Sequence, residues 1–170
     1  TTLALQFVIE GVNKGEKVLY VTLSESRSDL LNVAQSHSFK TDGVEIFELL
    51  PGEEELKPEG QYTVSHPAEV ELNDRMQTIF KEVERVNPDR LIIDALSELR
   101  MLARDSLRYR RQILAMKNYL STRTCTVLLL DDLTTRDRDL QLHSVVHGVI
   151  SLEKLSRDYG DARRRLEVSK

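Results

Sequence analysis

Apolar residues along the chain gather into short runs of two kinds, separated by polar or Gly- and Pro-bearing stretches. In "TTLALQFVIEGV", Leu3, Phe7 and Val8 recur at helical spacing and Leu5 and Ile9 widen the stripe, which predicts an amphipathic helix over Thr1–Val12. "NKGEK" stops it, with Gly15 suited to the C-cap. "KVLYVTL" is different: β-branched and aromatic residues follow one another without alternation, as in a strand buried on both faces. The same alternation of types continues. "SRSDLLNVAQSHSF" predicts a helix, "GVEIFELLP" a strand, "AEVELNDRMQTIFKEVERV" a helix and "RLIIDAL" a strand. "SLRYRRQILAMKNYLSTR" predicts a further helix and "CTVLLLDDL" a strand. Gly52 to Pro67 and "TTRDRDLQLHS" read as loops. "VVHGVISLEKL" and "ARRRLEVSK" read as two strands joined by the turn "SRDYGD".

Strands alternating with helices imply βαβ crossovers, hence an α/β fold with a mostly parallel central sheet flanked by helices. The last two strands add an antiparallel C-terminal edge. With 170 residues and no repeat, low-complexity tract or linker, one domain is the economical reading.

Composition narrows the class. Hydrophobic residues make up 40% and charged residues 31%, ordinary for a globular chain, and without Trp the core must be aliphatic. A net charge of -4 leans against a dedicated nucleic-acid binder. Cys125 is the one cysteine, so no internal disulfide forms, which suits a reducing cytoplasm. The longest apolar runs are too short to span a bilayer.

Two stretches carry candidate chemistry. "RLIID" ends a buried strand on Asp94, and an acid there faces the crevice where open α/β sheets bind ligands. In nucleotide hydrolases such an acid holds the water shell of Mg²⁺; otherwise it is a strand ending in a polar turn. The opening "TTLALQF" matches the segment just after the Gly-Lys of a phosphate-binding loop, where a hydroxyl begins a helix whose N-terminus cradles phosphate. The other reading is a Thr pair capping an ordinary helix.

The stretches "TTLALQFVIEG", "KVLYVTLSES", "RLIIDALSELR", "RYRRQILAMK", "TVLLLDD" and "SRDYGDARRRLEVSK" occur in order over nearly the whole chain. Together they resemble the ATPase domain of the KaiC-like group, the circadian clock group of the RecA superfamily. The resemblance implies a RecA-like P-loop NTPase core over residues 1–170, a single domain truncated at both ends and lacking its first strand and Gly-rich loop. It implies ATP and Mg²⁺ as cofactors, hydrolysis in a cytoplasmic, homo-oligomeric, hexameric ring, and a signalling or regulatory output with an unnamed protein partner. DNA is not the expected partner on separate grounds, since net charge is negative and "DDLTTRDRDLQ" carries four Asp against two Arg with no aromatic, and no membrane is expected. The alternatives are a RecA- or RadA-type recombination or repair ATPase and a non-hydrolysing interaction module. The sequence as it stands is expected to be inactive alone.

The resemblance also assigns residues. Thr1 matches the Mg²⁺-ligating hydroxyl, Thr2 its follower in the first helical turn, and Asp94 the second-motif acid. The family's two glutamates after its second strand read Ser24-Glu25 here, leaving Glu25 to orient the attacking water. The alternative for Glu25 is charge compensation at a helix N-terminus, with Ser24 or Ser26 capping. Lys170 matches a lysine that reaches the γ-phosphate held by the neighbouring subunit, or is a solvated terminal charge. Ser97 falls near the γ-phosphate or is a turn serine. Asp131, with Asp132, senses nucleotide or caps a loop.

Three further features stand apart from these motifs. His143 and His147 are four apart, but their β-branched neighbours predict a strand, on which that spacing is too long for one metal ion. Ser144 is the nearest match to an autophosphorylated hydroxyl of the group. Arg100, Arg104, Arg108, Arg110 and Arg111 form a basic run suited to a subunit interface or a solvated helix face.

Overall fold

The computed structural model describes residues 1–50, 67–103, 105–132, 140–155 and 161–170. These form two compact units, residues 1–134 and 135–170. The first carries α1 (Thr2–Asn13), β1 (Val18–Thr22), α2 (Arg27–Ser36), β2 (Glu45–Glu48), α3 (Pro67–Val86), β3 (Arg90–Asp94), α4 (Leu96–Ala103), α5 (Ser106–Ser121) and β4 (Thr126–Leu129). The second carries α6 (Leu140–Val145), β5 (Ile150–Leu155) and β6 (Arg163–Val168).

The four strands of the first unit form a parallel sheet in the order β2-β1-β3-β4. β1 is central and buried along its whole length, which is why "VLYVT" shows no alternation. Side chains two apart share a face, so Val18, Tyr20 and Thr22 point one way with their register partners Ile92 and Asp94. On that face Ala4, Leu5 and Val8 of α1 and Leu30 and Ala34 of α2 close a core around Val18, Tyr20, Ile46 and Ile92. Leu19, Val21, Leu91 and Ile93 point the other way, and α3 packs against β1, α4 against α3 and α5 against α4. Each helix meets the core through a buried stripe, such as Leu72, Met76, Ile79 and Val83 of α3.

α1 ends as expected. Gly15 has φ +77, its N–H reaches Val12 O at 2.9 Å, and the Glu16 N–H reaches Gly11 O at 3.0 Å, the paired bonds of a Schellman motif.

The fold class expected from the sequence is present, with corrections to the elements. The strand expected over "RLIIDAL" stops at Asp94, and Leu96–Ala103 is a helix of its own. Leu140–Val145, expected partly as loop and partly as strand, is helical, and the strand begins only at Ile150. The β-branched Val145 sits in that helix because its side chain is buried there, 5% exposed, and packing outweighs propensity. His143 is thus on a helix, and the strand argument for its spacing from His147 does not hold. Most of the Gly52–Pro67 loop, the turn at 156–160, residues 133–139 and Arg104 lie outside the described residues.

In the second unit β5 and β6 pair antiparallel as a two-stranded sheet, from Ile150↔Val168 to Leu155↔Arg163. Glu153 faces Arg165 across the ladder in a 2.9 Å ion pair.

Candidate functional site

Buried polar groups gather at the carboxyl ends of β1 and β3. The buried polar and charged side chains described are Thr22, Arg75 and Asp94, and two of the three stand in register with each other. Asp94 is fastened to β1 twice. Its carbonyl accepts the Leu23 N–H at 2.6 Å, and its Oδ2 accepts the Tyr20 hydroxyl at 2.5 Å. Tyr20 is fully buried. Burial first, then the hydrogen bond to Asp94 and the charges of Asp94 and Glu25, push its pKa far above the ordinary tyrosine value, so the phenol stays a donor. The peptide between Asp94 and Ala95 is cis.

Thr22 shapes the turn after β1. Its hydroxyl donates to Glu25 O at 2.6 Å and accepts the Glu25 N–H at 3.1 Å, closing a loop around Ser24 and Glu25. Ser24 is exposed, whereas Glu25 turns inward and its Oε2 is buried with no hydrogen-bond partner. Glu25 also lies close enough to Tyr20 to raise the phenol's pKa. Tyr20 and Asp94 are thus bonded at the edge to which the Thr22-held turn brings Glu25.

The helix after Glu25 has its own caps. Ser26 Oγ accepts the Asp29 N–H at 3.1 Å, Asp29 supplies the first-turn acid, and Glu48 Oε2 accepts the Arg27 N–H at 2.7 Å. Ser26, not Ser24, is the cap, and Glu25 is not needed as one.

Thr1 stands at the N-cap of α1 and its side chain makes no cap hydrogen bond; Thr2 Oγ1 lies 3.4 Å from His37 Nε2. The direction of α1 fixes their level. At Gly11 an added Cβ would meet Val18 Cγ1 at 2.7 Å and Arg90 Cδ at 2.9 Å, so this end of the helix lies over the strand starts. Running back to Thr1 covers about 15 Å of helix, and β3 covers about 13 Å from start to end. That length would carry Thr1 and Thr2 toward the edge that holds Asp94, while Thr2 itself lies beside His37 at the end of α2.

The other expected residues are spread more widely. Ser97 is half-buried in the first turn of α4. Asp131 Oδ2 forms an ion pair with Arg100, whose guanidinium lies 5.2 Å over the Tyr109 ring. Burial disfavours the Arg100 charge, but Asp131 outweighs it and the net shift is upward. Lys170 lies in the second unit, where its Nζ donates to His143 O at 3.2 Å and Val146 O at 2.9 Å, the open carbonyls at the end of α6. Ser144 is exposed on that helix.

The sequence reading missed Tyr20 and Thr22. Both stand at even spacing from each other on the strand before Ser24-Glu25, and that spacing alone would have put their side chains on one face.

The donor set is of the class that a hard cation takes. Asp94 and Glu25 present carboxylate oxygens, the ligand class Mg²⁺ takes directly or through water. A buried, unpartnered Glu25 Oε2 is costly unless a ligand or water completes it. A cleft of about 320 Å³ lies at the opposite edge, lined by Asn87, Asp89 and Arg123 among others. It is not the better candidate, because ligands of such sheets bind at the strands' carboxyl ends, and the Asp89 carboxylate is already taken by the Lys17 N–H at 2.8 Å.

The family model for the KaiC ATPase matches residues 1–170. The chain belongs to the KaiC ATPase family. The circadian clock oscillator protein KaiC of Picosynechococcus sp. is 26% identical over 151 residues, which are 89% of this chain and 27% of that protein. The same protein of Rippkaea orientalis is 26% identical over 151 residues, 26% of its length. The chain thus spans about a quarter of the length of these curated KaiC relatives. Among solved structures, a KaiC-like protein from Pyrococcus horikoshii OT3 superposes with a TM-score of 0.75 at 19% identity, covering 99% of this chain and 72% of that one. That likeness is one of fold. No described helix is long and apolar enough to cross a membrane.

Proposed function

We propose that residues 1–170 act as one KaiC-type domain that binds and hydrolyses ATP at the carboxyl edge of its sheet, within a homo-oligomeric ring in the cytoplasm, as part of a signalling or regulatory protein. The observation that carries the reading is the Tyr20–Asp94 bond at that edge beside the Thr22-held turn that carries Glu25, whose Oε2 is buried and unpartnered. Asp94 and the Thr1 hydroxyl would hold Mg²⁺. When bound, Mg²⁺ neutralises charge on the β- and γ-phosphate oxygens. Thr2, in the first turn of α1, would add to the phosphate end of the helix. Ser97 would stand near the γ-phosphate and Asp131, tied to Arg100, would report its presence to α4. Lys170 would act on the nucleotide of a neighbouring subunit.

Glu25 Oε2 is the proposed base. It would take a proton from the water that forms a bond to the γ-phosphorus, while the bond to the β,γ-bridging oxygen breaks and ADP leaves. The independent capping of α2 by Ser26, Asp29 and Glu48 supports this, since it removes the structural reason for an acid at position 25. Ser24 is exposed, so the loss of a carboxylate at that position leaves the inward-facing one in place.

The test is Glu25→Gln in the intact protein. ATP turnover should fall about 100-fold or more, the worth of a positioned base, while equilibrium binding of ATP persists. Unchanged turnover would remove Glu25 from the role. Absence of ATP binding by the wild-type protein would overturn the nucleotide reading.

A further inference from the structure

Resting on the ATPase reading, we infer that Tyr20 is a positioning residue, whose hydroxyl orients the Asp94 carboxylate for metal binding. A central strand position with no exposure is ordinarily filled by an apolar side chain, and a hydroxyl there is costly unless it is bonded. Tyr20 directs its hydroxyl to Asp94 Oδ2, at 2.5 Å. This is the one side-chain partner of Asp94 among the described residues. The ring is held on both sides, because Tyr20 pairs with Ile46 of β2 and Ile92 of β3. The main chain of Asp94 is held as well, through its pairing with Thr22 and the Leu23 N–H on its carbonyl. Asp94 is therefore fixed to β1 at backbone and side chain, with Oδ2 engaged and Oδ1 left for a metal ion or its water. A second group that fixes the orientation of a ligand carboxylate is how metal sites gain affinity beyond their direct ligands.

The experiment is a Mg²⁺ titration of fluorescent ATP-analogue binding to the intact protein, comparing wild type, Tyr20→Phe, Asp94→Asn and the double variant, with thermal unfolding tracked alongside. In Tyr20→Phe the Mg²⁺ concentration for half-saturation should rise about tenfold, while binding of the analogue without metal stays as in wild type. In the Asp94→Asn background Tyr20→Phe should add nothing. A Tyr20→Phe chain that only melts earlier, with the same Mg²⁺ dependence, would reduce Tyr20 to a structural residue and overturn the inference. An equal shift in the Asp94→Asn background would overturn it too, because the effect would not pass through Asp94. Fluorotyrosine at position 20 keeps the ring and strengthens the hydroxyl as a donor, so it carries the same test where Tyr20→Phe fails to fold. An unmoved Mg²⁺ half-point in that chain would overturn the inference. Wild-type protein with no Mg²⁺-dependent binding of the analogue would overturn the ATPase reading and the inference together, whereas an unshifted variant beside a normal wild type overturns the inference alone.

Discussion

The two ends of the same sheet are finished in opposite ways. At the amino ends of the strands, Arg90, Glu16, Asp89 and Lys17 satisfy one another, although Arg123 Nε there is buried without a partner. Arg90 pairs with the Glu16 carboxylate through Nε, donates to Phe7 O at 2.8 Å through Nη1, and lies 4.8 Å over the Phe7 ring. Asp89 accepts the Lys17 N–H and returns its own N–H to Lys17 O, each at 2.8 Å. At the carboxyl ends Asp94 keeps one oxygen open, Glu25 Oε2 is buried without a partner, and Thr1 leaves its helix uncapped by a side chain. The named charged groups of the amino edge are bonded within the fold, whereas at the carboxyl edge one oxygen each of Asp94 and Glu25 is not, and under the proposed function those two oxygens are what a ligand would complete. The difference teaches where to look for function in a sheet with few buried charges.

If that contrast is right, changes at the amino edge should register in stability rather than in nucleotide handling. Arg90→Ala is the largest. It removes a second donor from the Phe7 carbonyl, which keeps its intrahelical bond, and the partner of Glu16, while also deleting contact with the Phe7 ring. Glu16 is one-third exposed, so water softens part of the loss. The expected cost is about 2 kcal/mol, read as a fall of about 5 °C in thermal midpoint, with ATP affinity of the folded protein retained. A loss of ATP affinity larger than the loss of stability would erase the contrast.

Gly11→Ala sharpens the same boundary at a single atom. Helix propensity alone favours alanine by about 1 kcal/mol, but the new Cβ would meet Val18 Cγ1 at 2.7 Å and Arg90 Cδ at 2.9 Å. Val18 is a stiff, buried β-branched residue and the Arg90 stem is held at three points, so neither neighbour gives cheaply. Overpacking should win, leaving a net destabilisation of about 1 kcal/mol. A stabilised variant in denaturant unfolding would mean α1 shifts freely over the strand starts.

How much of this is legible in the sequence depends on which force places each residue. Asp94 is readable because a polar residue ending an apolar run is a local signal, and the strand-then-acid pattern fixes both its position and its edge. Glu25 comes from family resemblance; its inward turn depends on the Thr22 hydroxyl holding the loop, a contact no pattern announces. Tyr20 reads as strand filler, since an aromatic in "KVLYVTL" suits the core equally well with or without a use for its hydroxyl. Helix α4 escapes because no breaker separates it from β3: "RLIIDAL" runs on in apolar residues while the backbone changes period. Helix α6, at six residues, is too short for periodicity to show. Lys170 reads as a terminal charge or a trans-acting lysine, and its bonds to the α6 carbonyls arise from tertiary placement alone.

The smallest prediction uses a control that the fold supplies. α1 and α2 end in the same way: the Phe39 N–H reaches Ala34 O at 2.9 Å and the Ser38 N–H reaches Gln35 O at 2.9 Å, matching the bonds that Gly15 and Glu16 make behind α1. The left-handed position is Gly15 in one motif and Ser38, at φ 58, in the other. A serine there costs about 1 kcal/mol through its Cβ, and glycine would lose part of the relief to extra freedom in the unfolded chain. Ser38→Gly should therefore stabilise the protein by about 0.5 kcal/mol. Denaturant midpoints would read the gain, and the slope of the transition should stay unchanged because no surface is added or lost. Ser38 is exposed and enters the turn through its backbone N–H, so a change confined to its side chain should leave Mg²⁺ and ATP affinities as they are. A destabilised variant would mean that the serine hydroxyl holds the turn, and that this end of α2 is finished by a side chain rather than by backbone geometry.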